Sequence, residues 1–270
     1  IEDTSASLGI QPLEDVDVTS IIRASNNVID NVGSIAAEIR LLRADPRQAQ
    51  SALQRLRRVV QLQGLSDNSD VAVALTALVH AASANLIMFF AGLRVSEVTS
   101  IKSGFVTEKE RFAEFDPSRI YMDFVVTKTV SDFEGKSRKL PAHPRLLDVA
   151  AALELVRDVT SSSSDFLFVP AGDPLPYRTG AFNRALQRMC DLNGIVVSMS
   201  SHRWRKTVAS LAVRVLTGSA LHLKELFGHQ GLAMTARYMM ASPFVRAEIQ
   251  DLTMDEYRKR GRTLLESLAA

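Results

Sequence analysis

Cysteine is almost absent from this chain of 270 residues: Cys190 stands alone, so neither an internal disulfide nor a thiolate metal cluster can form. An apolar run of membrane-spanning length is lacking too, since the longest candidate, residues 86–93, falls far short of the roughly 20 residues required. The first residues are acidic and polar, with no basic segment ahead of an apolar one, which does not read as a secretory signal. A cytosolic protein without membrane contact is the simplest expectation. The chain opens on Ile1 rather than Met, as a fragment or a processed chain would. There is no G-x-x-x-x-G-K-[ST] phosphate loop and no carboxylate cluster suited to a two-metal nuclease. Internal repeats are missing as well. Charge of one sign does not dominate: Lys and Arg number 32 against 30 Asp and Glu, and a formal +2 does not by itself announce a nucleic-acid partner.

What is present is an ordinary globular composition, 46% apolar and 23% charged, in a chain long enough for one large domain or two small ones. The charge is unevenly placed. Residues 1–17 carry five acids and no base, whereas residues 202–214 carry Arg203, Arg205, Lys206 and Arg214 with no acid. Local clusters of that kind matter more to a phosphate backbone than the global sum.

Residues 1–18 read as a flexible tail or linker remnant. From about Thr19 a helical spacing sets in with Ile21, Ile22, Val28, Ile29, Val32, Ile35 and Ile39. Asp45-Pro46 starts a further helix to Gln61, since proline suits a first helical turn. Residues 71–90 form a long, largely apolar helix that should be buried, and Gly92 permits a sharp turn before a short helix at residues 96–101. In residues 120–126 the side chains of Ile120, Met122, Phe124 and Val126 alternate as in a half-buried strand. A second strand near residues 138–140 completes a hairpin, and residues 166–169 suggest a third. Pro144 opens a helix to about Val159, the serines at 161–164 form a loop, and four more helices are expected near 179–192, 201–216, 219–227 and 232–240. Thr179, Ser201 and Ser219 are plausible N-caps, Gly194 and Gly228 plausible stops. The expected fold is mainly α with a small antiparallel β-sheet.

Five short segments carry candidate chemistry: Gly92-Leu93-Arg94-Val95-Ser96-Glu97, Thr127-Lys128-Thr129, His202-Arg203-Trp204-Arg205, Gly228-His229, and Arg237-Tyr238. Each alone has a plain structural reading. Arg94 would cap a helix, Lys128 would face solvent at a strand end, H-x-x-R would be a solvated stripe, Gly228-His229 a helix end and Tyr238 a core aromatic. In composition, order and spacing the set resembles the catalytic domain of the tyrosine recombinases, the phage integrase family, over about residues 70–245, with no motif member missing.

That resemblance implies a site-specific DNA recombinase that cleaves and rejoins strands through a 3′-phosphotyrosyl intermediate, with neither metal nor ATP as cofactor. Tyr238 would be the nucleophile, its ordinary pKa of about 10 overcome by a base or by nearby positive charge. Arg94 and Arg205 would clamp the non-bridging oxygens bidentately, His202 would take a proton, and His229 would support the clamp. Lys128 would protonate the departing 5′-oxygen. Nine residues between Lys128 and Arg138 make a long loop, so Lys136 or Lys139 are alternatives. Glu97 would steady an arginine or histidine, while Arg203 and Lys206 would hold DNA. Trp204 stands where the family often has an apolar residue. Tyr257, in a charged segment without the preceding Gly-His, is a rival nucleophile.

The implied organisation is a catalytic domain over residues 19–245 and a C-terminal helix over 246–270, packed on its own domain or docked on a neighbouring protomer. Residues 1–70 are too short and too acidic at the start to be a whole N-terminal DNA-clasping domain. Expected partners are double-stranded DNA and further copies of the chain, as a tetramer on DNA, in a prokaryotic nucleoid. Integration, transposition, movement of a conjugative element and dimer resolution all fit. Other readings are a type IB topoisomerase or telomere resolvase with the same chemistry, a non-catalytic DNA-binding module, and a helical regulator that binds no DNA.

Overall fold

The computed structural model describes residues 10–60, 70–108, 120–126 and 136–215. The chain divides into two compact units, Leu13–Arg205 and a second comprising Ile1–Pro12 with Lys206–Ala270. In chain order the helices are α1 (Asp15–Asp30), α2 (Val32–Ala44), α3 (Ala49–Leu56), α4 (Val71–Ala91), α5 (Val95–Thr99), α6 (Arg145–Thr160), α7 (Thr179–Leu192) and α8 (Ser201–Val215). The strands are β1 (Val106–Glu108), β2 (Ile120–Val126) and β3 (Lys136–Pro141). The expected class, mainly helical with a small antiparallel sheet, is the one observed.

The first unit is built around α4. Asp70 starts it by accepting a hydrogen bond from the Val73 N–H at 3.1 Å, and Gly92 ends it in the left-handed region at φ 60°, where a side chain would be strained. Between these caps α4 is apolar on nearly every face, the pattern of a helix enclosed by others. α1, α2, α6 and α7 surround it. By length and composition this 21-residue helix could cross a membrane, which corrects the expectation that no run approaches that length. Thr76, His80, Ser83 and Asn85 interrupt the run in the sequence, yet all four are buried. Here the helix is the core of a fold, 83% of its apolar window covered by the protein itself.

One of those interruptions has an energetic consequence. His80 Nδ1 lies 3.3 Å from the Tyr177 hydroxyl, and burial pushes the imidazole pKa down to about 4. The unfolded chain therefore takes up a proton below about pH 6.5, while the folded one resists until about 4. Stability present above pH 6.5 is lost as the pH falls through this window, by about 3 kcal/mol in all. Denaturant midpoints measured at pH 7, 5.5 and 4 should fall accordingly, and His80→Gln should remove that pH dependence whatever it does to absolute stability.

Several local expectations are revised. α1 starts at Asp15 rather than Thr19, with Asp15 and Asp17 in its first turn favouring the positive end of the helix dipole and Val18 buried. The helical pattern through Ile39 is two helices, divided at Asn31, whose side-chain amide donates to the Asn27 carbonyl at 2.8 Å. After Asp45 the chain makes a 3-10 turn, Pro46–Gln48, before α3, which ends at Leu56 instead of reaching Gln61. The sheet runs β1-β2-β3, antiparallel throughout, with Val106 opposite Met122 and Val126 opposite Lys136. Its third strand is thus β1 and not residues 166–169. Leu167, Phe168 and Val169 are consecutively buried, without the alternation of a sheet edge, and only Phe166 forms a bridge, to Lys102. Thr179 is the first helical residue of α7, after Arg178 at the N-cap, and Ser201 is the first of α8. Gly194 does follow α7 in the left-handed region, at φ 66°. Ser219, Gly228 and the helices expected at 219–227 and 232–240 lie outside the described residues.

Candidate active site

The site grows from the end of α4. With Gly92 left-handed, the chain turns sharply, buries Leu93 and enters α5 with Arg94 extended at its N-cap. Glu97 then reaches back, accepting from the Arg94 N–H at 2.6 Å through Oε2 and from Arg94 Nη1 at 3.0 Å through Oε1. A helix-start contact of the capping-box kind has thereby become an ion pair. The short G-L-R-x-S-E segment sets the position of its own arginine.

The second guanidinium arrives from α8. Arg205 Nη1 donates to the Gly92 carbonyl at 2.8 Å and stands 3.9 Å from Glu97 Oε2. One buried carboxylate thus lies beside two guanidiniums from distant parts of the chain. Two positive charges and one negative leave the trio net positive, and the carboxylate offsets the repulsion that would otherwise separate the arginines in a poorly solvated place. The Arg94 side chain keeps 14% exposure and Arg205 3%, so Arg94 is the one nearer to solvent.

α8 is held at its start by α7. The Ser201 N–H donates to Asn183 Oδ1 at 3.0 Å, and Gln187 ties the preceding loop through the Met199 N–H at 2.6 Å and the Val197 carbonyl at 2.9 Å. Within H-x-x-R, His202 is exposed and Arg205 buried, while Arg203 donates to the Ser198 carbonyl at 2.6 Å. Lys206 follows in the same helix. Trp204 is wholly buried, its indole N–H donating to Asn85 Oδ1 of α4 at 2.8 Å. From sequence, Trp204 is only a mild departure from a motif and Asn85 draws no notice; the isolated amide inside an apolar helix is the available signal.

On the hairpin, Lys139 pairs across the strands with Asp123 at 3.4 Å and lies over the Tyr121 ring, and Lys136 begins β3 opposite Val126. Lys128, His229, Tyr238 and Tyr257 lie outside the described residues, as does the segment 246–270. The structure therefore brings together Arg94, Glu97 and Arg205, and places His202 on the exposed side of the helix that carries Arg205.

Comparison with known proteins bears on the family and the fold. The sequence model of the phage integrase family matches residues 58–243. A crystal structure of XerA recombinase is similar at 14% identity and a TM-score of 0.51, covering 94% of this chain and 66% of that one. One of XerH site-specific recombinase, bound to palindromic difH substrate in a post-cleavage complex, is similar at 14% identity and 0.52, covering 93% and 55%. The chain thus spans just under two thirds of the first of these proteins and about half of the second, and the likeness is one of fold. No curated protein sequence matches it. By the family match across most of its length, and with a fold shared with solved recombinases, the chain belongs to the phage integrase family.

Proposed function

We propose that this protein is a site-specific DNA recombinase that breaks and rejoins strands by transesterification. The observation that carries the reading is the convergence of Arg94 and Arg205 on Glu97, at 3.0 and 3.9 Å. A planar pair of donors suits a phosphodiester, whose non-bridging oxygens gain negative charge as phosphorus is attacked. In the proposed step the Tyr238 oxygen bonds to phosphorus and the bond from phosphorus to the 5′-oxygen breaks. The phenolic proton passes to His202, and the departing oxygen takes a proton from Lys128. The products are a 3′-phosphotyrosyl ester and a free 5′-hydroxyl. Because the ester keeps the bond energy, the reverse attack by a 5′-hydroxyl rejoins DNA without ATP or metal.

His229 completes the clamp on this reading, and Arg203 and Lys206 hold backbone phosphates. Lys139 is the weaker alternative acid, because Asp123 engages it, while Lys136 stays a rival to Lys128. Residues 19–245 would be the catalytic domain, and residues 246–270 would dock on a neighbouring copy in a tetramer closed head to tail on double-stranded DNA.

The test is covalent trapping in EDTA. The full chain is mixed with a pool of nicked duplexes of randomised sequence, whose cleaved fragment diffuses away. A metal-independent adduct that maps to the peptide containing Tyr238 is the expected result. No adduct would turn the reading toward a DNA-binding module with the same basic helix.

A further inference from the structure

Trp204 and Arg205 are neighbours in α8, and both reach α4. The indole N–H meets Asn85 Oδ1 at 2.8 Å, and the guanidinium meets the Gly92 carbonyl at 2.8 Å. Asn85 lies within α4 and Gly92 is the left-handed residue that caps its C-terminus, so one anchor point is inside the helix and the other at its end. Two separate grips hold the first turn of α8 against α4 and against the turn that follows it.

The Asn85 amide is itself oriented from the other side. Its Nδ2 donates to Met189 Sδ of α7 at 2.9 Å and lies 3.4 Å from Ser25 Oγ of α1. An indole N–H can only donate, so the amide must present its oxygen to Trp204 and its nitrogen to the sulfur and the hydroxyl. Asn85, Trp204, Ser25 and Met189 are all essentially inaccessible to solvent. Four helices meet on one side-chain amide, where an apolar residue would fill the space without setting any direction.

We propose that Asn85 is a positioning residue for the cleavage centre: through Trp204 it sets the seat of the first turn of α8, and so the place of Arg205 beside Gly92 and Glu97. The inference rests on the recombinase reading. Misplacing a reacting or charge-stabilising group by about 1 Å can cost around a hundredfold in rate. A loss of seating should therefore appear in the chemical step far more than in DNA binding, in which Arg203 and Lys206 of the same helix would be only two of many phosphate contacts.

The test compares wild type, Asn85→Leu, Trp204→Phe and the double variant, as full chains well below each protein's own thermal midpoint. Adduct formation in EDTA on the randomised nicked pool is timed with protein in excess, beside binding to the same pool and the thermal midpoint. Each single variant orphans one buried polar atom, whereas the double orphans neither, so the double should be destabilised by less than the sum of the singles. Adduct formation should stay roughly ten- to a hundredfold slow in all three, with binding weakened by much less than the rate. A role confined to packing predicts instead that the rate recovers with the stability. Wild-type rates in Asn85→Leu or in the double variant would overturn the inference alone. If Asn85→Leu does not fold, Trp204→Phe, which keeps a ring in the same space, decides the question by the same comparison of rates. A wild-type protein that forms no adduct would overturn the recombinase reading and this inference with it.

Discussion

A Tyr238→Phe protein is expected to form no covalent adduct with nicked DNA in EDTA and to bind that DNA as well as wild type. The substitution keeps the ring and removes only the oxygen that would bond to phosphorus, with no change in net charge. The chain has four tyrosines, and Tyr177 can be set aside on structural grounds. Tyr177 is 9% exposed inside the first unit, and burial raises its pKa well above the ordinary value, keeping the oxygen protonated and enclosed. Tyr121 is half-buried on β2, with the Lys139 ammonium over its ring. Adduct that persisted in Tyr238→Phe would point first to Tyr257, and Tyr257→Phe and Tyr121→Phe proteins would decide it. Loss of binding along with the adduct would show that Tyr238 is structural.

Arg205→Ala is expected to slow adduct formation by roughly a hundredfold to a thousandfold, the scale for removing one donor aimed at developing charge. Arg205→Lys should fall well short of wild type as well. A lysine keeps the charge but not the planar fork, so its point charge cannot reproduce the spread of donors by which one nitrogen meets the Gly92 carbonyl and others face a phosphate. Both variants should bind the nicked pool nearly normally. Glu97→Ala is the complementary case: it leaves two guanidiniums without their carboxylate, one of them almost wholly buried. It should cost about 3–5 kcal/mol of stability, read from denaturant unfolding. A wild-type cleavage rate in Arg205→Ala would remove Arg205 from the clamp. A wild-type unfolding midpoint in Glu97→Ala would show that the carboxylate does not hold the arginines together.

Much of this is legible in the sequence wherever the signal is local. An apolar segment closed by glycine marks α4 to within one residue of its end, and alternation along residues 120–126 marks β2, because each pattern is written in consecutive positions. The Gly92–Glu97 segment is legible for the same reason, its arginine and glutamate lying within one helical turn. What stays hidden is pairing over distance. β1 has only three residues and is a strand because β2 lies beside it. Asn85 looks like an interruption of an apolar run, and Trp204 like a variation within a motif. Their hydrogen bond exists only once α4 and α8 are packed together. That Glu97 serves both arginines is equally unreadable, since the resemblance assigns it a supporting role without saying how many partners it has.

Trp204 is the only tryptophan in the chain, and its indole is wholly buried where α8 meets α4. Light absorbed at the red edge of the protein band therefore excites a single chromophore placed one residue from a proposed clamp arginine. Its emission should shift to longer wavelength when that contact opens to water. Unlike a signal averaged over the whole chain, it reports the seating of α8 directly. Followed in time as DNA is added, it would tell whether the clamp is already set in the free protein or is completed on the substrate.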